Sequence, residues 1–152
     1  MTAAERIATL GGFGRIVPKA PGTVASFLTL FPAWGLVAVH GQLLVVVAAL
    51  TATAVGFWGA ELYARERNTN DPSECVVDEV AGQLIACAFA PRTLVFYALA
   101  FALFRLFDIV KPWPISAAER LPGGLGIMAD DVLAGLLAGI LVVILLQTRL
   151  LG

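Results

Sequence analysis

The residues best suited to chemistry are carboxylates set against apolar runs: Asp78-Glu79, Asp108 and Asp130-Asp131. Asp78 and Glu79 read as lying two turns into a helix whose following residues are apolar. An acid at or below a membrane surface is costly and by default functional. Just upstream, Asp71-Pro72-Ser73-Glu74 reads as a helix cap, first helical residue and capping box. That register puts Asp71, Glu74 and Asp78 on one helix face with Glu79 on its flank. Asp130 and Asp131 read as the N-terminus of the last helix, where the helix dipole offsets part of their charge. Two adjacent acids there still repel unless a cation lies between them. Gathered on one face, Asp78, Glu79, Asp108, Asp130 and Asp131 form an all-oxygen cluster of the kind that takes Mg²⁺, or else Mn²⁺ or Ca²⁺.

Cations accompany these acids. Arg105, Asp108 and Lys111 recur every three residues. One helix face therefore carries either a self-neutralising salt bridge, or a phosphate on Arg105 and Lys111 with a metal on Asp108. A Gly- and Pro-rich loop, Gly11 to Gly22, holds Lys19 and leads into Thr23 and Ser26, either of which could cap the next helix. A helix N-terminus beside a lysine suits an anion, and it is equally an ordinary membrane entrance. Other chemistries are missing. His40 is the single histidine and sits far along an apolar run. Cys75 has no arginine six residues on, and no aspartate is followed two positions later by another. Cys75 and Cys87, twelve residues apart on one helix, would be separated by about 18 Å, too far for a disulfide.

The elements that must position these groups follow from composition. The 152 residues are 59% hydrophobic and 14% charged, with a net charge of −1. Soluble domains run near 45–50% apolar and about 25% charged. Disorder, a nucleic-acid-binding tail and a disulfide scaffold are excluded, and the length suits one domain, residues 1–152. The pattern predicts an all-α, small polytopic membrane bundle of about four to five hydrophobic helices. Val24–His40 and Leu43–Trp58 form a hairpin, and Val132–Gln147 is the last span. Small residues from Ala134 to Ile140 favour close helix contact. Arg6, Arg15 and Lys19, then Arg65 and Arg67, then Arg105, Lys111 and Arg120 flank the runs. By the positive-inside tendency all three segments are cytoplasmic. Residues 80–104 must then leave and return to one side, as two short helices meeting near Pro91-Arg92, which leaves the C-terminus outside. A single span there is the alternative, and it would separate the 105–131 segment from the 61–79 segment.

Four ordered motifs resemble the phosphatidylglycerophosphatase A family. They are Ala20-Pro21-Gly22-Thr23; Asp71-Pro72 with Val76 to Gly82; Phe104 to Ile115; and Gly123 to Gly135. The resemblance implies an all-helical enzyme of the bacterial inner membrane, with its active site facing the cytoplasm, that uses Mg²⁺ to hydrolyse phosphatidylglycerophosphate to phosphatidylglycerol and phosphate. Asp78, Glu79, Asp108 and Asp131 are the expected catalytic set, and Asp71, Asp78, Glu79, Asp108, Asp130 and Asp131 the expected metal ligands. Lys19, Arg105 and Lys111 would bind phosphate, with Thr23 and Ser26 as minor donors. Attack by water with Asp78 or Glu79 as base, or an aspartyl-phosphate intermediate, would serve that chemistry. The expected partner is a membrane phospholipid and no nucleic acid; a homo-oligomer is compatible. An ion- or proton-coupled transporter is the rival function, and it predicts acids spread through the membrane's depth.

Overall fold

The structure is a computed structural model describing residues 1–148; the C-terminal end, whose side the basic-residue pattern predicts, lies beyond them. Among the described residues it is all-helical. In chain order these are α1 (Ala3–Ala8), α2 (Phe13–Ile16), α3 (Pro21–His40), α4 (Gln42–Arg67), α5 (Val77–Ala88), α6 (Leu94–Val110), α7 (Ile115–Ala118) and α8 (Gly123–Gln147). Three of them, α3, α4 and α8, are long and apolar enough to cross a membrane.

The first hairpin forms as expected, with Gly41 alone joining α3 to α4. Between Glu79 and Phe104 the chain breaks into two helices, since α5 ends at Ala88 and α6 starts at Leu94 behind an N-cap from Thr93. Twelve residues make α5 about 18 Å long, short of the ~30 Å of hydrocarbon. A helix ending inside apolar surroundings leaves carbonyls without partners. Gln42 supplies them: its Nε2 lies 2.7, 2.7 and 3.1 Å from the carbonyl oxygens of Cys87, Ala88 and Ala90. The α3–α4 turn and the α5–α6 turn thus meet at one end of the bundle. At the other end, the start of α8 meets α4 through Glu61. The 61–79 and 105–131 segments therefore share an end, and the single-span alternative is ruled out.

α8 packs through small residues, as its Ala134–Ile140 stretch predicts. Ala134, Gly135, Ala138 and Gly139 are buried. A Cβ on Gly135 would overlap the carbonyl oxygen of Gly82 on α5, and one on Gly82 would overlap the Asp131 carbonyl and the Phe104 ring. This backbone-to-backbone approach draws the acid-bearing turns of α5 and α8 together.

Three local expectations are corrected. Asp71, Pro72 and Glu74 do not open a helix; α5 starts at Val77, with Val76 as its N-cap. Asp78 and Glu79 are therefore in the first turn rather than two turns in. Asp130 and Asp131, placed by sequence at a helix start, instead lie two turns inside α8, which begins at Gly123. Neither Thr23 nor Ser26 caps α3: its N-cap is Ala20, in the left-handed region, and Pro21 is the first helical residue.

The start of α8 has no side-chain cap of its own. Glu61 of α4 replaces one, accepting the Gly124 N–H at 2.6 Å through Oε2 while Arg65 holds Oε1 at 2.7 Å. Glu61→Ala should lower stability by about 1–2 kcal/mol, the range of a lost cap. Glu61→Gln should restore most of it, because an amide oxygen still accepts. Thermal unfolding of the detergent-solubilised protein would measure both.

Candidate active site

The acid-bearing turns line a cavity of ≈ 460 Å³, to which residues 70–73, Cys75 and the 119–122 segment also contribute. Asp78, Glu79, Asp108, Asp130 and Asp131 all contribute to its lining, along with Lys111. These residues come from three helices and a cap. Asp78 and Glu79 ride on the first turn of α5, Asp108 on the last turn of α6, Lys111 on its left-handed C-cap, and the aspartate pair on α8.

Two overlapping groups of carboxylates form. Asp78, Glu79 and Asp131 offer oxygens within 4.8 Å of one another, and so do Asp108, Asp130 and Asp131. Asp131 belongs to both and is only 3% exposed. Asp78 Oδ1, Glu79 Oε2 and Asp131 Oδ2 are buried with no hydrogen-bond partner. A buried ionised carboxylate without partners is strongly unfavourable, and three gathered together need either protons or a cation to offset their charge. The donor set is all oxygen, which suits a hard divalent cation. Acidic groups able to bind a metal are thus present, and the residues fit one.

The cations are arranged differently from their spacing. Arg105 pairs with Asp108, Nη1 to Oδ2 at 2.5 Å, as the salt-bridge alternative holds. That contact is off the hydrogen-bond direction, so the buried Nε and Nη1 both keep unpaired N–H groups. Lys111 does not join Asp108. Its Nζ reaches Asp130 Oδ2 at 2.6 Å and Glu119 Oε1 at 2.9 Å. Burial pulls the Lys111 ammonium toward a lower pKa, but the two carboxylates outweigh it and hold it above the usual lysine value. It carries its charge throughout the neutral range.

The remaining candidates stand apart. Asp71 is exposed on the loop before α5 and lines the cavity, yet belongs to neither carboxylate group. Lys19, Thr23, Ser26 and Arg105 do not line the cavity. Lys19 is exposed, and Ser26 Oγ donates to the Gly22 carbonyl at 2.8 Å within α3. The first motif acts through Gly22, where a Cβ would collide with the Glu79 carboxylate. Both cysteines are free and buried. Burial pushes the Cys75 thiol up to about 12, so it is an inert thiol beside the acids.

Sequence spacing did not single out Glu61 or Glu119. The signal for Glu61 was its isolation, an acid ending a charge-free stretch that begins after Lys19. Glu119 carried no such mark, because its role depends on the fold of the 111–122 segment over the cavity.

Residues 6–146 match the family described as Phosphatidylglycerophosphatase A. A Bacteroides thetaiotaomicron protein, provisionally named a phosphatidylinositol-3-phosphatase, is 39% identical over 141 residues, covering 88% of each chain. The phosphatidylglycerophosphatase A of Escherichia coli K12 is 34% identical over 134 residues, 86% of this chain and 77% of that one. That of Haemophilus influenzae is 35% identical over 134 residues, 86% and 82% of the two chains. No solved structure gives a significant match.

Proposed function

The chain belongs to the phosphatidylglycerophosphatase A family of lipid phosphatases, and from that premise we propose that it hydrolyses phosphatidylglycerophosphate to phosphatidylglycerol and phosphate with Mg²⁺. The observation that carries this reading is the gathering of Asp78, Glu79 and Asp131, each with a buried carboxylate oxygen that has no hydrogen-bond partner, beside a cavity edged by Lys111.

Asp78, Glu79, Asp108, Asp130 and Asp131 would hold the cation. When bound, Mg²⁺ would neutralise phosphoryl oxygens and orient the phosphate for in-line displacement. The chain's own groups supply the rest. Lys111 has a third N–H beyond those directed at Asp130 and Glu119, and it donates that to a phosphoryl oxygen. Arg105 keeps Asp108 in place through their ion pair. Asp78 or Glu79 takes a proton from water as its oxygen forms the new P–O bond, while the P–O bond to glycerol breaks and the leaving oxygen takes up a proton to become the product's hydroxyl. If an aspartate attacks instead, an aspartyl-phosphate forms as the glycerol oxygen leaves and water then displaces the aspartate at phosphorus, so a chirally labelled phosphate is released with retention rather than the inversion of a single displacement, which separates the two routes.

The site lies at the headgroup level. Its acids gather at one end of the bundle, and no acid occurs between Glu79 and Asp108 or after Asp131. That favours a lipid phosphomonoester over an ion passing through the bilayer. With Arg65, Arg67, Lys111 and Arg120 at the same end, the site faces the cytoplasm of the bacterial inner membrane. The similarity to the Bacteroides protein favours a second substrate, a phosphatidylinositol 3-phosphate, for the same chemistry.

The test is phosphate release by the purified protein in detergent from each lipid, with Mg²⁺ or after chelation. Phosphatidylglycerophosphate should be the better substrate by kcat/KM, and chelation should abolish release until Mg²⁺ is restored. Release unaffected by chelation would refute the metal assignment, and faster hydrolysis of the inositol lipid would transfer the reading to that substrate.

A further inference from the structure

The cavity is larger than the group it would cleave. At ≈ 460 Å³ it falls in the range of whole-ligand pockets, ~300–1,000 Å³, rather than that of one phosphoryl group. Its cationic lining residues are Lys111 and Arg120. Lys111 holds Asp130 and Glu119, and its remaining N–H is already assigned to the monoester. Arg120 is exposed, and among the described residues its side chain has no hydrogen bond, ion pair or ring contact. The neighbouring acid, Glu119, is turned to Lys111 instead. A guanidinium that lines an acid-rich cavity yet pairs with none of its carboxylates is placed for an anion from outside.

The backbone holds it there. α7 is anchored by buried Ile115 and Ala118, and the Arg120 N–H donates to the Ala117 carbonyl at 3.3 Å. Pro122 then turns the chain into α8. Arg120 therefore sits on a defined rim of the cavity, apart from the buried acids of its floor.

We infer that Arg120 binds the internal phosphodiester of the lipid substrate while the phosphomonoester sits at the acid cluster. This rests on the phosphatase reading above. The substrate carries two phosphates joined by a glycerol, and only the terminal one is removed. The diester is a permanent monoanion with two free oxygens, which a guanidinium fork matches in a bidentate way. It stays on the product, so Arg120 contacts a group present before, during and after the reaction. Such uniform binding lowers KM and leaves kcat nearly alone. A phosphatidylinositol phosphate shares this pairing of monoester and diester, and inorganic phosphate lacks the diester.

The experiment compares Arg120→Ala and Arg120→Lys with the wild-type protein in detergent. For Arg120→Ala, KM should rise about tenfold with kcat within about twofold. Inhibition by short-chain phosphatidylglycerol, which keeps only the diester, should weaken by the same factor as KM rises. Inhibition by inorganic phosphate should not change, and Arg120→Lys should recover part of the loss. An unchanged KM would overturn the assignment. Equal weakening by phosphatidylglycerol and by inorganic phosphate would also overturn it, moving Arg120 to the monoester subsite. If the wild-type protein releases no phosphate from any lipid, the phosphatase reading itself falls, a result distinct from either.

Discussion

Asp131→Asn should reduce kcat by at least about 10³-fold, a loss near 4 kcal/mol of transition-state stabilisation, and Asp78→Asn should do nearly as much. Asp131 is the carboxylate shared by both acid groups, it is almost wholly buried, and its Oδ2 has no protein partner. An amide there keeps the shape but gives up the charge that binds a cation. Stability should move the other way. Without a divalent ion, five acids crowd a buried site, so losing one charge relieves repulsion and should leave melting temperature equal or higher. Mg²⁺ should stabilise the wild-type protein and not the variant, since only a ligand bound by the folded state shifts the equilibrium. Loss of activity together with loss of fold would point instead to a structural role for Asp131. Asp71→Asn is the contrasting case: Asp71 is exposed and outside both groups, so its effect should stay under about tenfold.

Lys111→Gln should lower kcat/KM by about 10²-fold, the loss of one charged donor to the transferring phosphate. The effect has two sources. One is the missing N–H to the phosphoryl group. The other is Asp130, which is only 5% exposed and loses the ammonium 2.6 Å from its Oδ2. Removing one partner of a buried pair leaves the other charge uncompensated. Melting temperature should therefore fall as well, in contrast to Asp131→Asn. Lys111→Arg keeps the charge but spreads it over a plane, and should retain more activity than the glutamine variant. Steady-state kinetics with thermal unfolding on the same samples would check both. Equal activity of the glutamine variant and the wild-type protein would remove Lys111 from the phosphate site.

The long helices and the break near Pro91 were legible because charge is scarce. The apolar runs between Lys19 and Glu61 and after Asp131 leave little choice but helices, and basic residues on three segments force the 80–104 stretch to turn back. The acids were legible for the same reason, since a carboxylate beside such a run stands out. Helix starts were not. Asp71-Pro72-Ser73-Glu74 has the local chemistry of a cap, but Cys75 and Val76 are buried and the Val76 N–H donates to the Ala8 carbonyl at 2.9 Å. That long-range contact delays the helix to Val77. Asp130-Asp131 read as the start of the last helix, yet α8 begins at Gly123, where Glu61, 63 residues from Gly124 in sequence, accepts the Gly124 N–H. The partner of Lys111 was likewise hidden. Its three-residue spacing from Asp108 suggested one helix face, whereas a left-handed cap turns it to Asp130.

Binding of a divalent cation by the buried acids can be measured without turnover. Titrating Mn²⁺ as a paramagnetic stand-in for Mg²⁺ into the purified protein, with free ion followed by electron paramagnetic resonance, reads binding directly. The wild-type protein should bind Mn²⁺ in competition with Mg²⁺, and Asp131→Asn should lose that binding while remaining folded. Equal binding by the two proteins, or none by the wild-type protein, would mean that these acids hold no divalent cation.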